Sequence, residues 1–138
     1  MVSLLTGKKG SGKTKKLINL AHEAEASSKG VVVCVEKGDT LRLNIGHKIR
    51  LVNIIGYDIK DFGALYGFIA GLLAGNYDIT DILVDSTLKI GGNDLNAFAE
   101  FVKSIAPLAE NAEANLTFSV SAEENELPES LRASVQII

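Results

Sequence analysis

Eight residues near the start of the chain constrain its fold more than any others: Gly7-Lys8-Lys9-Gly10-Ser11-Gly12-Lys13-Thr14. They follow a short apolar run, Val2–Thr6, and precede Lys13–Ser27, which has Leu17, Ile18, Leu20, Ala21 and Ala24 on one side and Lys, His and Glu on the other. The flanks predict a strand and an amphipathic helix. The chain must therefore turn sharply from strand into helix. Glycines at 7, 10 and 12 permit such a turn and let its amides curl around an anion that approaches the backbone closely. The positive end of the helix adds to that field.

The rest of the chain repeats the strand and helix alternation. Ser27-Ser28-Lys29-Gly30 ends the first helix. Val31–Val35 is continuously apolar and β-branched, the pattern of a strand buried on both faces of a parallel sheet. Residues 37–48 are ambiguous, with Leu41, Leu43 and Ile45 alternating over too short a run. Ile49–Ile55, Asp81–Asp85, Leu116–Val120 and Val135–Ile138 read as further strands. Asp94 caps a predicted helix running towards Ala112, in which Pro107 is expected to make a kink or a break. Leu127–Leu131 reads as a short helix with Pro128 in its first turn. Strands alternating with helices predict an α/β fold whose central, mostly parallel sheet is flanked by helices, in one domain spanning 1–138.

Asp61–Gly75 is predicted helical and is unusual inside. Gly63, Gly67, Gly71 and Gly75 recur every four residues beside an apolar face of Phe62, Leu65, Ile69, Leu72 and Leu73. The expectation is a core helix whose glycine stripe presses closely on a sheet or another helix; the alternative is a membrane or dimerisation helix, since small residues at this spacing permit close backbone approach. The uncharged stretch containing it, Phe62–Tyr77, has 16 residues and falls short of the roughly 17–25 that cross a bilayer.

Net charge is −3, but residues 1–69 carry +5 and residues 70–138 carry −8. The first half is suited to face an anion, whereas the acidic whole disfavours nucleic acid as a partner. The chain has no Trp and only 6% aromatic residues, so a base-stacking platform is not expected. Cys34 is the sole cysteine, which excludes an internal disulfide and a multi-cysteine zinc site, and it is expected to pack as a small hydrophobe. His22 and His47 pair with no nucleophile by spacing. The N-terminal residues lack a basic region followed by a long apolar stretch, so the expected compartment is the cytoplasm, away from membranes.

Gly7 to Thr14 satisfies G-x-x-x-x-G-K-[ST] in full. In that arrangement Lys13 reaches β- and γ-phosphates and Thr14 places its hydroxyl on Mg²⁺, while Gly7, Lys8, Lys9, Gly10, Ser11 and Gly12 line the cradle. The segment resembles the Walker A motif of P-loop NTPases. The family pattern calls for a Walker B strand, an apolar run ending in Asp, and Ile82-Leu83-Val84-Asp85 fits it. The resemblance implies that Asp85 holds Mg²⁺ through water and that the chain has a three-layer P-loop NTPase fold. About 70 residues and two predicted strands separate Lys13 from Asp85. That spacing resembles the RecA-like and AAA-like side of the superfamily, where another strand lies between the two motif strands. The whole pattern also resembles small stand-alone bacterial P-loop ATP-binding proteins.

Departures from the family pattern bear on turnover. Ser86 follows Asp85, where many ATPases of this side carry the Glu that polarises water. Glu36, ending the Val31–Val35 strand, is the candidate substitute, because RecA-like proteins can supply the base from a neighbouring strand. Ser119 and Ser121 are candidate γ-phosphate sensors. Only Arg42, Arg50 and Arg132 are available as arginine. No N/T-K-x-D or D-x-x-G guanine-nucleotide motif is present, so ATP is the expected nucleotide. The resemblance thus implies a Mg²⁺-dependent NTPase, with Lys13, Asp85 and Glu36 as catalytic candidates. Its intrinsic turnover is expected to be slow, with a protein partner or a second copy supplying an arginine. Two alternatives stay open: a nucleotide-dependent switch or assembly factor, and a small-molecule phosphotransferase.

Overall fold

The computed structural model describes residues 1–138. Six strands form one sheet: β1 (Val2–Thr6), β2 (Val31–Glu36), β3 (Arg50–Asn53), β4 (Ile79–Val84), β5 (Asn115–Val120) and β6 (Gln136–Ile137). Their order is β3-β2-β4-β5-β1-β6, and every neighbouring pair is parallel. Strand β5 lies between β1 and β4, so the strand before the glycine loop and the strand before Asp85 do not touch.

The helices are α1 (Lys13–Ser27), α2 (Phe62–Gly75), α3 (Thr87–Gly91), α4 (Leu95–Ala112) and α5 (Glu129–Arg132), with a single 3₁₀ turn at Glu124–Glu126. Alternation along the strands divides the core into two unequal parts. Leu5, Val32, Cys34 and Leu83 pack against Leu17 and Ala21 of α1. Leu4, Val33, Val35, Ile82, Val84, Leu116 and Phe118 face the opposite way, onto α2, α3 and α4. The result is a three-layer α/β fold. On the larger side Phe62, Phe98, Phe101 and Phe118 form a chain of ring contacts at 5.3–6.4 Å between centroids. Such pairs add to the stabilisation from area burial.

One sequence expectation is narrowed here and another is corrected. Of the kink or break expected at Pro107, the break does not occur: the helix runs unbroken from Leu95 to Ala112. A proline removes one backbone donor, but Val102, Ile105 and Ala109 are buried on either side of it and anchor both halves of the helix in the core. The glycine stripe of α2 does not press on a neighbour. A Cβ built on Gly67, Gly71 or Gly75 would meet nothing within 4 Å, so the stripe faces outward. Phe62, Leu65 and Ile69 bring far more apolar area to burial and turn their own face inward instead. No helix is long and apolar enough to cross a membrane.

Candidate functional site

A parallel sheet presents its loops at the C-terminal edge, and four segments meet there: the glycine loop after β1, the ends of β4 and β5, and α3. They enclose a cleft of about 530 Å³, within the range of small-ligand sites. Its wall includes Lys9, Gly10, Gly12, Lys13, Thr14, Asp85 and Ser119, and Leu88 is its one apolar member. The charged side chains on this wall, Lys9, Lys13, Lys89 and Asp85, suit a charged ligand.

The glycine loop follows from its residues. Gly10 and Gly12 sit at φ +83° and +86°, in the left-handed region that side chains resist. Gly12 occupies the N-cap position of α1, and no side chain caps that end. The other two long helices differ. Asp61 caps α2, accepting from the Ala64 amide at 2.7 Å, and Asp94 caps α4, accepting from Asn96 and Ala97 at 2.9 and 3.2 Å. The first amides of α1 are thus left open to an anion. Lys13, Lys15 and Lys16 crowd the first turn of α1, where positive charge opposes the helix dipole. That local conflict is the kind relieved by a bound anion.

Lys13 is only 8% exposed, and its Nζ donates to the Lys8 carbonyl at 2.8 Å. An ammonium has three donors, so two remain to serve a ligand. Burial holds the Lys13 ammonium below its ordinary pKa, while the charge of Asp85 pulls the other way.

Asp85 is brought to Lys13 by strand alternation. Ile82 and Val84 face the larger core, so Leu83 and Asp85 face the α1 side. By the same count Ser119 of β5 and Glu36 of β2 share that side. Asp85 is 5% exposed and Ser119 is 1% exposed. The Thr14 hydroxyl donates to Asp85 Oδ2 at 3.2 Å, joining residues 71 apart in sequence. The Ser119 hydroxyl donates to Asp85 Oδ1 at 2.8 Å and accepts from the Ser86 amide at 2.7 Å. Ser119 thereby fixes the carboxylate from the strand that separates β1 from β4. Ser86 itself sits at φ +51°, a left-handed turn that sends the chain from β4 into α3.

The remaining sequence candidates are distributed unevenly. Ser121 lines the cleft. Lys8 lies 3.9 Å from Glu123, in an exposed ion pair. Ser11 closes the loop through its amide, which donates to the Lys8 carbonyl at 3.1 Å, and its hydroxyl lies where a Cβ on Gly7 would sit. Glu36 ends β2 as expected and is 3% exposed, but it lies outside the cleft wall. Its Oε1 accepts from the amide and hydroxyl of Thr40 at 3.1 and 2.9 Å, and its Oε2 accepts from the Leu41 amide at 3.1 Å. Both oxygens thus organise the loop after β2. Cys34 is fully buried, and its thiol is pushed up to about 12 by burial, with Asp85 and Glu36 adding to the effect. It is an inert core thiol. None of Arg42, Arg50 and Arg132 reaches the cleft.

Sequence reasoning missed Lys89 and Asn93, both on the cleft wall. They arrive there on α3 and the turn after it, elements too short to leave a periodic signal. No protein-family model and no curated protein matches the chain.

Proposed function

We propose that this chain binds Mg·ATP in the cleft between the glycine loop and the end of β4, as a P-loop nucleotide-binding protein of the RecA-like and AAA-like kind. The convergence of Lys13, Thr14 and Asp85 carries the reading: an ammonium, a hydroxyl and a carboxylate, far apart in sequence, share one polar cleft beside an uncapped helix N-terminus. The strand inserted between β1 and β4 supports the assignment within the superfamily.

The donor set fits magnesium. Thr14 Oγ1 and Asp85 Oδ2 are hard oxygen donors, and nowhere do three His, Cys, Asp or Glu side chains group to hold a metal. Mg²⁺ characteristically takes one or two protein oxygens and completes its shell with phosphate and water. Thr14 and Asp85 would hold it, directly or through water. The metal would neutralise charge on the β- and γ-oxygens. Lys13 would bind the same oxygens, and the amides of Gly10 to Thr14 would cradle the phosphates.

Slow hydrolysis follows from the same wall. Its one carboxylate is Asp85, already engaged with Thr14 and Ser119. No second carboxylate stands ready to orient water, because Glu36 serves Thr40 and Leu41. This feature favours, as a second reading, a nucleotide-dependent switch whose bound state alters a surface for a partner.

Calorimetric titration of Mg·ATP into the parent and a folded Lys13→Ala variant tests the proposal. The expected result is binding by the parent and a loss of about 10-fold or more in the variant, the scale of a charged hydrogen bond. Equal affinity in both, or no binding by the parent, would sink it.

A further inference from the structure

Phosphoryl transfer and triphosphate recognition need positive charge at the terminal phosphate as well as at the loop. The arginine count makes that group look absent, and no arginine lines the cleft. The cleft wall nevertheless carries a cation outside the glycine loop. Lys89 stands on α3, takes part in no ion pair and lines the same cleft as Lys9 and Lys13. Its position is set by the turn at Ser86. The Lys89 amide donates to the Ser86 carbonyl at 3.0 Å, so a single helical turn ties Lys89 to the strand end bearing Asp85.

Charge and order along the wall then assign its partner. Lys9, Lys13 and Lys89 face one carboxylate, Asp85, whose oxygens are served by hydroxyls from Thr14 and Ser119. The cleft thus holds an excess of positive charge matched to a polyanion. Thr14 and Asp85 would hold the metal, which would neutralise charge at the outer phosphates. The α- and β-phosphates lie in the loop and at the helix N-terminus. Lys89, one turn beyond Asp85 on the same cleft wall, would then lie towards the terminal phosphate.

We infer that Lys89 is a cation supplied by this chain itself to the γ-phosphate of the bound nucleotide, so that the cleft distinguishes triphosphate from diphosphate without a partner's arginine. The inference rests on the Mg·ATP reading of the cleft. Asn93 lines the wall just beyond Lys89 and adds an amide donor to the same end.

The test compares a non-hydrolysable ATP analogue with ADP, each with Mg²⁺, by calorimetry on the parent, Lys13→Ala, Lys89→Gln and Lys89→Arg. Lys89 is exposed, and thermal melting checks that its variants are folded. Lys89→Gln is expected to weaken the triphosphate analogue about 10-fold while ADP affinity stays within about twofold, and Lys89→Arg is expected to restore most of the loss. Loss on both nucleotides alike, or on neither, would overturn the assignment while leaving the Lys13 result, and with it the Mg·ATP reading, intact. If the parent binds neither nucleotide, both fall together.

Discussion

Glu36 and Asp85 occupy matching places on adjacent strands, since Val35 pairs with Val84 and each acid follows by one residue. Both are buried on the α1 side, yet their carboxylates face different partners. Asp85 is held by hydroxyls at the cleft, and Glu36 is held by the amides of Thr40 and Leu41 and the Thr40 hydroxyl. A carboxylate only accepts, and all three of these donors point at it. Glu36→Gln replaces one acceptor oxygen with an NH₂ that must face a donor. Leaving a buried donor unmet costs about 1–3 kcal/mol. The variant is expected to melt several degrees lower while its Mg·ATP affinity stays within about twofold and its turnover per bound nucleotide is unchanged. A drop in turnover of about 100-fold with binding intact would instead make Glu36 the water-orienting group. Residue type and strand position made Glu36 a reasonable candidate from sequence. What sequence could not supply was the path of residues 37–48, which decides where that carboxylate is spent.

At the scale of elements, legibility followed length and period. The bounds of α1 match the amphipathic pattern residue for residue, and β2 and β5 extend by one residue what β-branched and apolar runs predict. The predicted strand Ile49–Ile55 shortens to Arg50–Asn53, an edge strand followed by Gly56 at φ +89°. Helix α3 has five residues, less than two turns, so no periodicity betrays it, and the cleft residues it carries were invisible with it. The glycines of α2 were found by spacing, but spacing tells which residues share a face and not which way that face points. The junction between α1 and β2 offers a sharper case. A Cβ on Gly30 would collide with the Asp78 carbonyl oxygen, which accepts the Val31 amide at 2.8 Å where the β2–β4 pairing begins. Being backbone, that oxygen cannot swing aside. Gly30→Ala should therefore displace the start of the ladder, where the register already shifts between Val31 and Val32. The expected cost is about 1–3 kcal/mol, read as a lower urea midpoint at an unchanged m-value. A cost under about 0.5 kcal/mol would show that the junction yields freely.

Across the whole molecule, the sheet order gathers several features that conflict with stability into one place. Three lysines sit at the positive end of α1, the Lys13 ammonium is buried, Ser86 is held in a left-handed turn, and the N-terminus of α1 lacks the acidic cap that α2 and α4 both have. Conflicts of this sort concentrate where a site must stay open for a ligand. A polyphosphate would answer several of them at once: its charge would offset the lysines and its oxygens would accept from the uncapped amides. On the proposed reading the native state binds such a ligand and the unfolded chain does not, so ligand at about 100 times Kd should add roughly 2.7 kcal/mol. For a domain of this size that corresponds to a rise in Tm of roughly 5–10 °C. Differential scanning calorimetry with Mg·ATP should register that rise in the parent and little of it in Lys13→Ala. Inorganic pyrophosphate should reproduce part of it, because on the proposed reading the glycine loop contacts the phosphates, and Leu88 is the one hydrophobic residue on the cleft wall. An equal rise in the parent and Lys13→Ala would move the anion site away from the glycine loop.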